Sequence, residues 1–309
     1  MFGILNINKP AGCTSRDAVN RVQRLIRPVK VGHAGTLDPL AQGVLVLCLG
    51  PATRLIEKVQ QMPKHYRGTF RLGCHSPTDD TEGEVMPLAA ATPPTQAAIT
   101  AVLGQFAGQI QQRPPAYSAI KVGGKRAYQL ARQGQAVTLP ARPVTIHALS
   151  IDRYEYPELV LRIECGSGTY VRSLGRDLAE AVGTAAVMTE LIRTAIGPYT
   201  IDTGLDPHAL TREQLTRRLQ SPLTALGQLP QIPLTAAQVT NVQHGRLISV
   251  DPTADGILRD RMLQDGNQQA NIPTEIAAVD SDGCLIALLA PKAGNQWGPI
   301  RNFTRPGSN

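Results

Sequence analysis

The residue that most needs a chemical explanation is Asp38. It stands alone in GHAGTLDPLAQG (residues 32–43), between Leu37 and Pro39, with glycine-rich sequence before it and the apolar run 44–49 after it. A carboxylate so placed can act as a general base or a nucleophile. Asp followed by proline is also a good helix N-cap followed by a first-turn proline, which is a purely structural role. Three other segments carry side chains fit for chemistry or binding. Tyr66 lies in KHYRGTFRLG, Tyr170 and Arg172 lie two apart in GTYVR, and Lys121, Lys125 and Arg126 surround a glycine pair in SAIKVGGKRAY. Each also has a plain reading: a strand tyrosine in the core, a pair at a sheet edge, an exposed hairpin tip. A metal-dependent hydrolase using His33 and Asp38 would need a third ligand at suitable spacing, and the sequence supplies none. Cys13, Cys48, Cys74, Cys165 and Cys284 are far apart and form no C-x-x-C pair, so neither a structural zinc site nor disulfides are expected.

The elements that must position these residues follow from periodicity. GILNINK (3–9) reads as a strand ending in an Asn-Lys-Pro turn. TSRDAVNRVQRLIRP (14–28) reads as a helix capped by Thr14 or Ser15, with Ala18, Val22 and Leu25 on one face and Pro28 as its stop. GVLVLCLG (43–50) is a buried strand, and PATRLIEKVQQ (51–61) a helix with Pro51 in its first turn. HYRGTFRLG (65–73) alternates, placing Tyr66, Phe70 and Leu72 on one face and Arg67, Thr69 and Arg71 on the other. TQAAITAVLGQF (95–106) is expected as a helix with Ala98, Val102 and Phe106 at helical spacing. Two further strands, VTIHALSIDRY (144–154) and ELVLRIECG (158–166), precede a turn into the helix GTYVRSLGRDLAEAVG (168–183). Strands outnumber a strict strand–helix alternation, so the fold expected is α+β with a mixed sheet.

The chain has 309 residues, which suggests two domains. Residues 1–231 carry 25 Lys and Arg against 17 Asp and Glu, whereas residues 232–309 carry 6 against 7. No acid occurs between Glu84 and Asp152, and that window holds Arg113, Lys121, Lys125, Arg126, Arg132 and Arg142. Surfaces of one sign attract polyanions, nucleic acid above all, although a solvated face with chance asymmetry accounts for the charge equally well. Residues 113–142 open on Pro114-Pro115, contain Gly123-Gly124, and read as a projecting basic insertion rather than core. Residues 202–231 read as a mostly helical bridge, and the short strands and Gly/Asp turns from 232 onward (VDSDGCLIALL) suggest a small β-rich domain. No apolar run reaches the roughly 18–20 residues of a membrane helix, and no signal peptide is recognisable, so a soluble cytoplasmic protein is expected.

Taken together the motifs resemble one family. GILNINKPAGCTSRDAV, VGHAGTLDPLAQGVLVLCLGPATRL, KHYRGTFRLG, RPPAYSAIKVGGKRAYQLAR, CGSGTYVRSLGRDL and ELIRTAIGPY are similar, in order and spacing, to bacterial tRNA pseudouridine-55 synthases, the TruB family. The resemblance is specific over residues 2–200, weaker over 201–231 and diffuse after 232, where bacterial members carry a PUA-like RNA-binding domain. One departure is LGCHSPTDD, where the family often has Thr before the proline; it concerns the loop rather than the chemistry. The resemblance implies a mixed-sheet catalytic domain over 1–231, with 113–142 as the insertion that folds over the tRNA T-loop, and a PUA-like domain over 232–309. It implies isomerisation of a T-loop uridine, flipped out of its stack, to pseudouridine. The reaction changes no redox state and needs no cofactor or metal. It maps the catalytic acid to Asp38, which attacks C1′, attacks C6 or removes the 2′ proton. Arg172 is its charge partner and Tyr66 stacks on the uracil, with a possible part for its hydroxyl at the C5 proton. Tyr170 and Leu191 line the base pocket, and His33 lies near the flipped nucleotide. Lys121, Lys125, Arg126 and Arg132 are expected to grip RNA, with Lys9 and Arg142 as further phosphate contacts. The partner implied is the tRNA T-arm, bound by a monomer without a guide RNA or a membrane. The alternative is a non-catalytic tRNA-binding or tRNA-folding protein on the same scaffold, which would have no need of Asp38; a guide-RNA-dependent relative would have no need of the basic insertion.

Overall fold

The apolar run that follows Asp38 is the middle of the molecule. In the computed structural model, which describes residues 1–89, 92–118, 120–135, 137–227, 229–250 and 273–303, it forms a strand with both faces covered. The chain runs β1 (Gly3–Lys9), α1 (Ser15–Ile26), β2 (Val31–His33), β3 (Gln42–Leu49), a 3₁₀ turn, α2 (Ile56–Gln61), β4 (Lys64–Leu72) and the short pair β5 (Cys74–His75) and β6 (Met86–Pro87). It continues with α3 (Gln96–Leu103), β7 (Gly108–Gln112), the hairpin β8 (Lys121–Val122) and β9 (Lys125–Arg126), α4 (Ala127–Arg132), β10 (Arg142–Glu155), β11 (Glu158–Cys165), α5 (Val171–Ala181), β12 (Ala186–Ile196) and β13 (Tyr199–Thr200). The last part holds α6 (Arg212–Arg218), β14 (Gln231–Pro233), α7 (Ala236–Gln243), β15 (Ile248–Ser249), β16 (Ile276–Val279), β17 (Leu285–Pro291) and β18 (Gln296–Asn302).

Nine strands form the main sheet in the order β1-β3-β12-β4-β11-β10-β7, with β2 on β3 and β13 on β12. The β3–β12 pair is parallel and its neighbours are antiparallel, so the sheet is mixed and the architecture α+β. On β3, Leu45 and Leu47 pack with Val19 and Val22 of α1, while Val44, Val46 and Cys48 pack against the opposite layer with Ala52 and Leu55. Cover on both faces is why this strand reads as an unbroken apolar run. Gly43 is required where β3 meets β12: its φ is +104°, and a Cβ there would lie 2.2 Å from the Arg193 carbonyl oxygen.

Helix α1 begins at Thr14, whose hydroxyl accepts from the Asp17 amide while Asp17 caps Thr14 in return. Helix α3 turns a different face inward from the one its spacing suggested. Ile99 is buried and Leu103 packs on the core while Ala98 is exposed, because these larger side chains one position on capture the apolar contact; Phe106 packs on the core as its spacing suggested. The segment after Pro51 starts as a 3₁₀ turn over Gly50–Leu55 before becoming α2.

The basic insertion leaves the sheet between β7 and β10, which pair with each other at its base, Arg142 opposite Gln112. Its tip, the β8–β9 hairpin, is exposed, but its base is not: Pro114, Pro115, Ser118, Ala127 and Leu139 are buried. Residues 202–231 do more than bridge. Leu205 and Gln220 bond to the backbone of β1, and Leu210 and Leu215 join the α1 core.

A second sheet, β14-β16-β17-β18-β15, follows, with α7 against β17 and β18. It shares a core with the main sheet: Ala277, Leu285, Leu288 and Phe303 cluster with Ile4, Val44 and Val46. The Phe2 and Phe303 rings stack with centroids 5.6 Å apart.

Candidate active site

Asp38 caps no helix, since none begins at Pro39. Its loop is instead held from four sides. The buried Ser15 hydroxyl, at the start of α1, accepts from the Leu37 amide at 2.8 Å and donates to the Leu37 carbonyl at 3.0 Å. The Gly12 amide donates to the Pro39 carbonyl at 2.8 Å. Lys9 is fully buried, and its ammonium donates to the carbonyls of Pro10, Cys13 and, at 3.5 Å, Pro39. Arg193 reaches from β12 to the carbonyls of Gly35 at 3.1 Å and Thr36 at 3.4 Å. A loop pinned at 35, 36, 37 and 39 presents the side chain of 38 with little freedom left to lose.

The Asp38 carboxylate meets the first turn of α5. Arg172 Nη2 lies 3.1 Å from Asp38 Oδ2, and Arg172 Nη1 lies 3.1 Å from Asp80 Oδ2. The guanidinium also donates to the carbonyls of Thr78 and Tyr117. Arg172 is 6% exposed and Asp80 1%, while the Asp38 side chain keeps 37% of its surface. The array therefore has a closed end and an open end. Asp80, itself held by the Thr78 hydroxyl and the Glu82 amide, anchors the guanidinium from behind. Asp38 is the end open to solvent. Burying one cation between two carboxylates, with a carbonyl accepting from each terminal nitrogen, meets the requirement that buried charge be paired and hydrogen-bonded. One turn on, Arg176 repeats the device, pairing with Asp79 at 2.8 Å and donating to the Arg113 carbonyl.

Beside Asp38 the floor is apolar. Leu37, Ala41, Leu191 and Leu174 share a buried cluster, against which Tyr66 and Leu40 pack. Tyr66 sits on central strand β4, opposite Arg193 of β12 and Ile163 of β11. Burial pushes its phenol above the ordinary range, against the pull of the Arg193 guanidinium. Tyr170 precedes α5, and the Gln112 side-chain amide clamps its backbone in both directions, at 2.8 and 3.1 Å. The Arg142 guanidinium lies 5.2 Å from the Tyr170 ring centre and donates to the Gly168 carbonyl. His33, on β2, is half-buried; burial, then Arg16 and Arg193, hold its imidazole below the ordinary value. Among the described residues no group of three or more His, Cys, Asp or Glu could hold a metal ion, and no helix is long and apolar enough to cross a membrane.

This arrangement can present one carboxylate, oriented by an arginine, to a flat ring resting on tyrosine and leucine. A tRNA pseudouridine synthase B from Arthrobacter sp. (strain FB24) is 42% identical over 303 residues, covering 95% of this chain and 94% of that protein. The chain belongs to the TruB family of pseudouridylate synthases. Residues 23–171 match the family model for the TruB N-terminal domain. A second tRNA pseudouridine synthase B, from Rhodopirellula baltica, is 38% identical over 98% of this chain and 94% of its own length. Two solved structures share the fold. An H/ACA RNP bound to a substrate RNA containing 2′-deoxyuridine matches with TM-score 0.70 and 22% identity over 98% of this chain and 86% of that chain. A Cbf5–Nop10–Gar1 complex matches with TM-score 0.67 and 23% identity over 99% and 84%.

Within this TruB-family site the structure pairs Asp38 with Arg172 and packs Tyr66 and Leu191 in the apolar cluster that includes Leu37, with Tyr170 at the start of the helix that carries Arg172 and His33 on the strand leading into the Asp38 loop. Lys121, Lys125 and Arg126 lie apart from them, exposed on the hairpin tip. The Arg132 side chain lies outside the described residues. Lys9 corrects an expectation: its ammonium is enclosed by backbone carbonyls and is not presented to a phosphate. Arg142 belongs to the Tyr170 wall rather than to the insertion's tip. Sequence reasoning missed Asp80, Arg193, Gln112 and Ser15. For Asp80 a signal existed, a doubled acid in SPTDD followed by two more carboxylates in TEGE.

Proposed function

We propose that this chain isomerises the T-loop uridine of tRNA, position 55, to pseudouridine, with Asp38 as the catalytic acid group. The observation that carries this reading is the Asp38 carboxylate on its pinned loop, open to solvent and braced by Arg172 beside the cluster that holds Tyr66 and Leu191. The reaction breaks the uracil N1–C1′ bond, turns the base and joins C5 to C1′. The C5 proton then leaves, its electron pair restores the C5=C6 bond, and N1 takes up a proton. Electrons balance without an external donor or acceptor. Asp38 is placed to act at the sugar carbon, at C6 or at the 2′ proton, and Arg172 holds it aimed in each case.

The uridine must first leave its stack, at a cost of a few kcal/mol. Tyr66 and Tyr170 offset this by about 1–3 kcal/mol for each aromatic face that receives the base. The exposed Lys121 and Lys125 supply backbone contacts from the insertion, and residues 232–309 serve as a second RNA-binding unit beside the catalytic unit 1–231. We take the active form to be a cytoplasmic monomer that reads the T-arm directly, without a guide RNA.

The test is to incubate the protein with an unmodified tRNA transcript in EDTA and map pseudouridine by carbodiimide labelling and primer extension. A single stop at the T-loop uridine is expected. Tight tRNA binding with no modification would overturn the reading in favour of a non-catalytic RNA-folding role.

A further inference from the structure

Two deeply buried cations, Lys9 and Arg193, tie the Asp38 loop without a carboxylate partner among the described residues, and of the two Arg193 stands opposite Tyr66 on the neighbouring strand. It is 2% exposed, and its guanidinium bonds only to carbonyl oxygens: Val44 at 2.7 Å, Gly35 at 3.1 Å and Thr36 at 3.4 Å. Among the described residues no carboxylate pairs with it, whereas Arg172 nearby has two. Gly35 adopts φ +129°, and a Cβ there would lie 3.6 Å from Arg193 Nη1, so the loop wraps closely around the guanidinium. On β12 it stands opposite Tyr66 across the strand pair, where its charge pulls against the burial that raises the phenol. One side chain thus bears on both halves of the site, the loop that carries Asp38 and the ring on which a base would rest.

A buried, unpaired cation is costly unless something uses the charge. The reaction proposed above supplies a use. When the N1–C1′ bond breaks, its electron pair stays on the uracil, which is anionic until C5 joins C1′. An oriented positive charge in a poorly solvated wall favours that state over the neutral ground state, which is how fixed charges accelerate a step. We propose that Arg193 is a positioning residue that locks the Asp38 loop against Tyr66 and, through its unpaired charge, favours the anionic uracil formed between bond breaking and bond making. This rests on the pseudouridine-forming reading of the site.

The experiment compares Arg193→Gln and Arg193→Lys with the parent enzyme in single-turnover conversion of tRNA uridine, with tRNA affinity and thermal unfolding measured on the same preparations. The expected result is a step roughly 100-fold slower for Arg193→Gln, with tRNA affinity within about threefold of the parent. Lysine, which keeps the charge but not the fork, should recover about tenfold of that loss. A rate for Arg193→Gln within about threefold of the parent overturns the proposal. Equal losses in both variants overturn it too, by reducing Arg193 to a structural tie. If Arg193→Gln does not fold, Arg193→Lys is measured in the parent and in Tyr66→Phe: a smaller loss in the second background supports action through Tyr66, and additive losses refute it. An inactive parent would instead overturn the assigned reaction.

Discussion

Asp38 and Arg172 meet because each is fixed by something other than the other. The loop around Asp38 is tied to Ser15, Gly12, Lys9 and Arg193, and Arg172 is backed by Asp80 and two carbonyls. The planar fork of Arg172 therefore serves two acids at once, which a lysine ammonium cannot do in the same geometry. Arg172→Lys should slow turnover on the order of 10- to 100-fold, the ~1.5–3 kcal/mol of one hydrogen bond to a charged group. Steady-state kinetics on a folded variant check this, and near-parental turnover would show that the fork is dispensable. At this scale the sequence was informative where a motif was dense. Asp38, Tyr66 and Arg172 stood out by their neighbours, but burial decides the roles of Lys9, Asp80 and Arg193, and no local pattern reports it. A lysine before a proline looks like surface, and an arginine in a strand looks like its wet face. Both are interior here because backbone carbonyls satisfy them: Lys9 meets those of Pro10 and Cys13 in its own turn and Pro39 beyond it, and Arg193 meets Val44 of β3 and Gly35 and Thr36 of the Asp38 loop.

At the scale of elements, α5 must lie flat on β4 for Arg172 to reach Asp38. Gly175 allows this: a Cβ there would lie 2.0 Å from the Phe70 ring. Gly175→Ala should destabilise the fold by about 1–3 kcal/mol through overpacking, more than the roughly 1 kcal/mol that alanine gains in a helix. It should also lower activity, because the displaced helix carries Arg172 three residues before. Thermal unfolding alongside activity checks both, and an unchanged or raised Tm would contradict this packing argument. The strands and most helix ends were legible, since alternation, caps and prolines are local. The inward face of α3 was not: choosing Ile99 over Ala98 depends on what the rest of the sheet offers to pack against.

For the whole molecule, charge and architecture agree. The acid-free window places the exposed Lys121, Lys125 and Arg126 on a hairpin whose base is tied to α5 by the Tyr117 and Arg113 carbonyls, so the part proposed to grip RNA is joined to the residue that braces Asp38. If Lys121 and Lys125 each neutralise one phosphate, Lys→Ala at either should reduce the slope of log affinity against log salt by about one. Filter binding across a salt series tests this, and a slope that does not change with either substitution would remove the hairpin from the contact surface. The second sheet was visible in composition, but its docking was not. The Phe2–Phe303 stack and the Arg301–Glu57 pair join segments nearly a whole chain apart, which makes this unit an extension of the catalytic body rather than a tethered appendage.

The most direct measurement is single-turnover pseudouridine formation by Asp38→Asn beside the parent, with tRNA affinity measured for both. The substitution keeps the size of the side chain and removes its charge, while the four ties on the loop backbone stay in place. The account predicts that tRNA still binds and that no pseudouridine forms. Turnover by Asp38→Asn at a rate near the parent's would contradict it, because the carboxylate at the centre of the site would then have no part in the reaction.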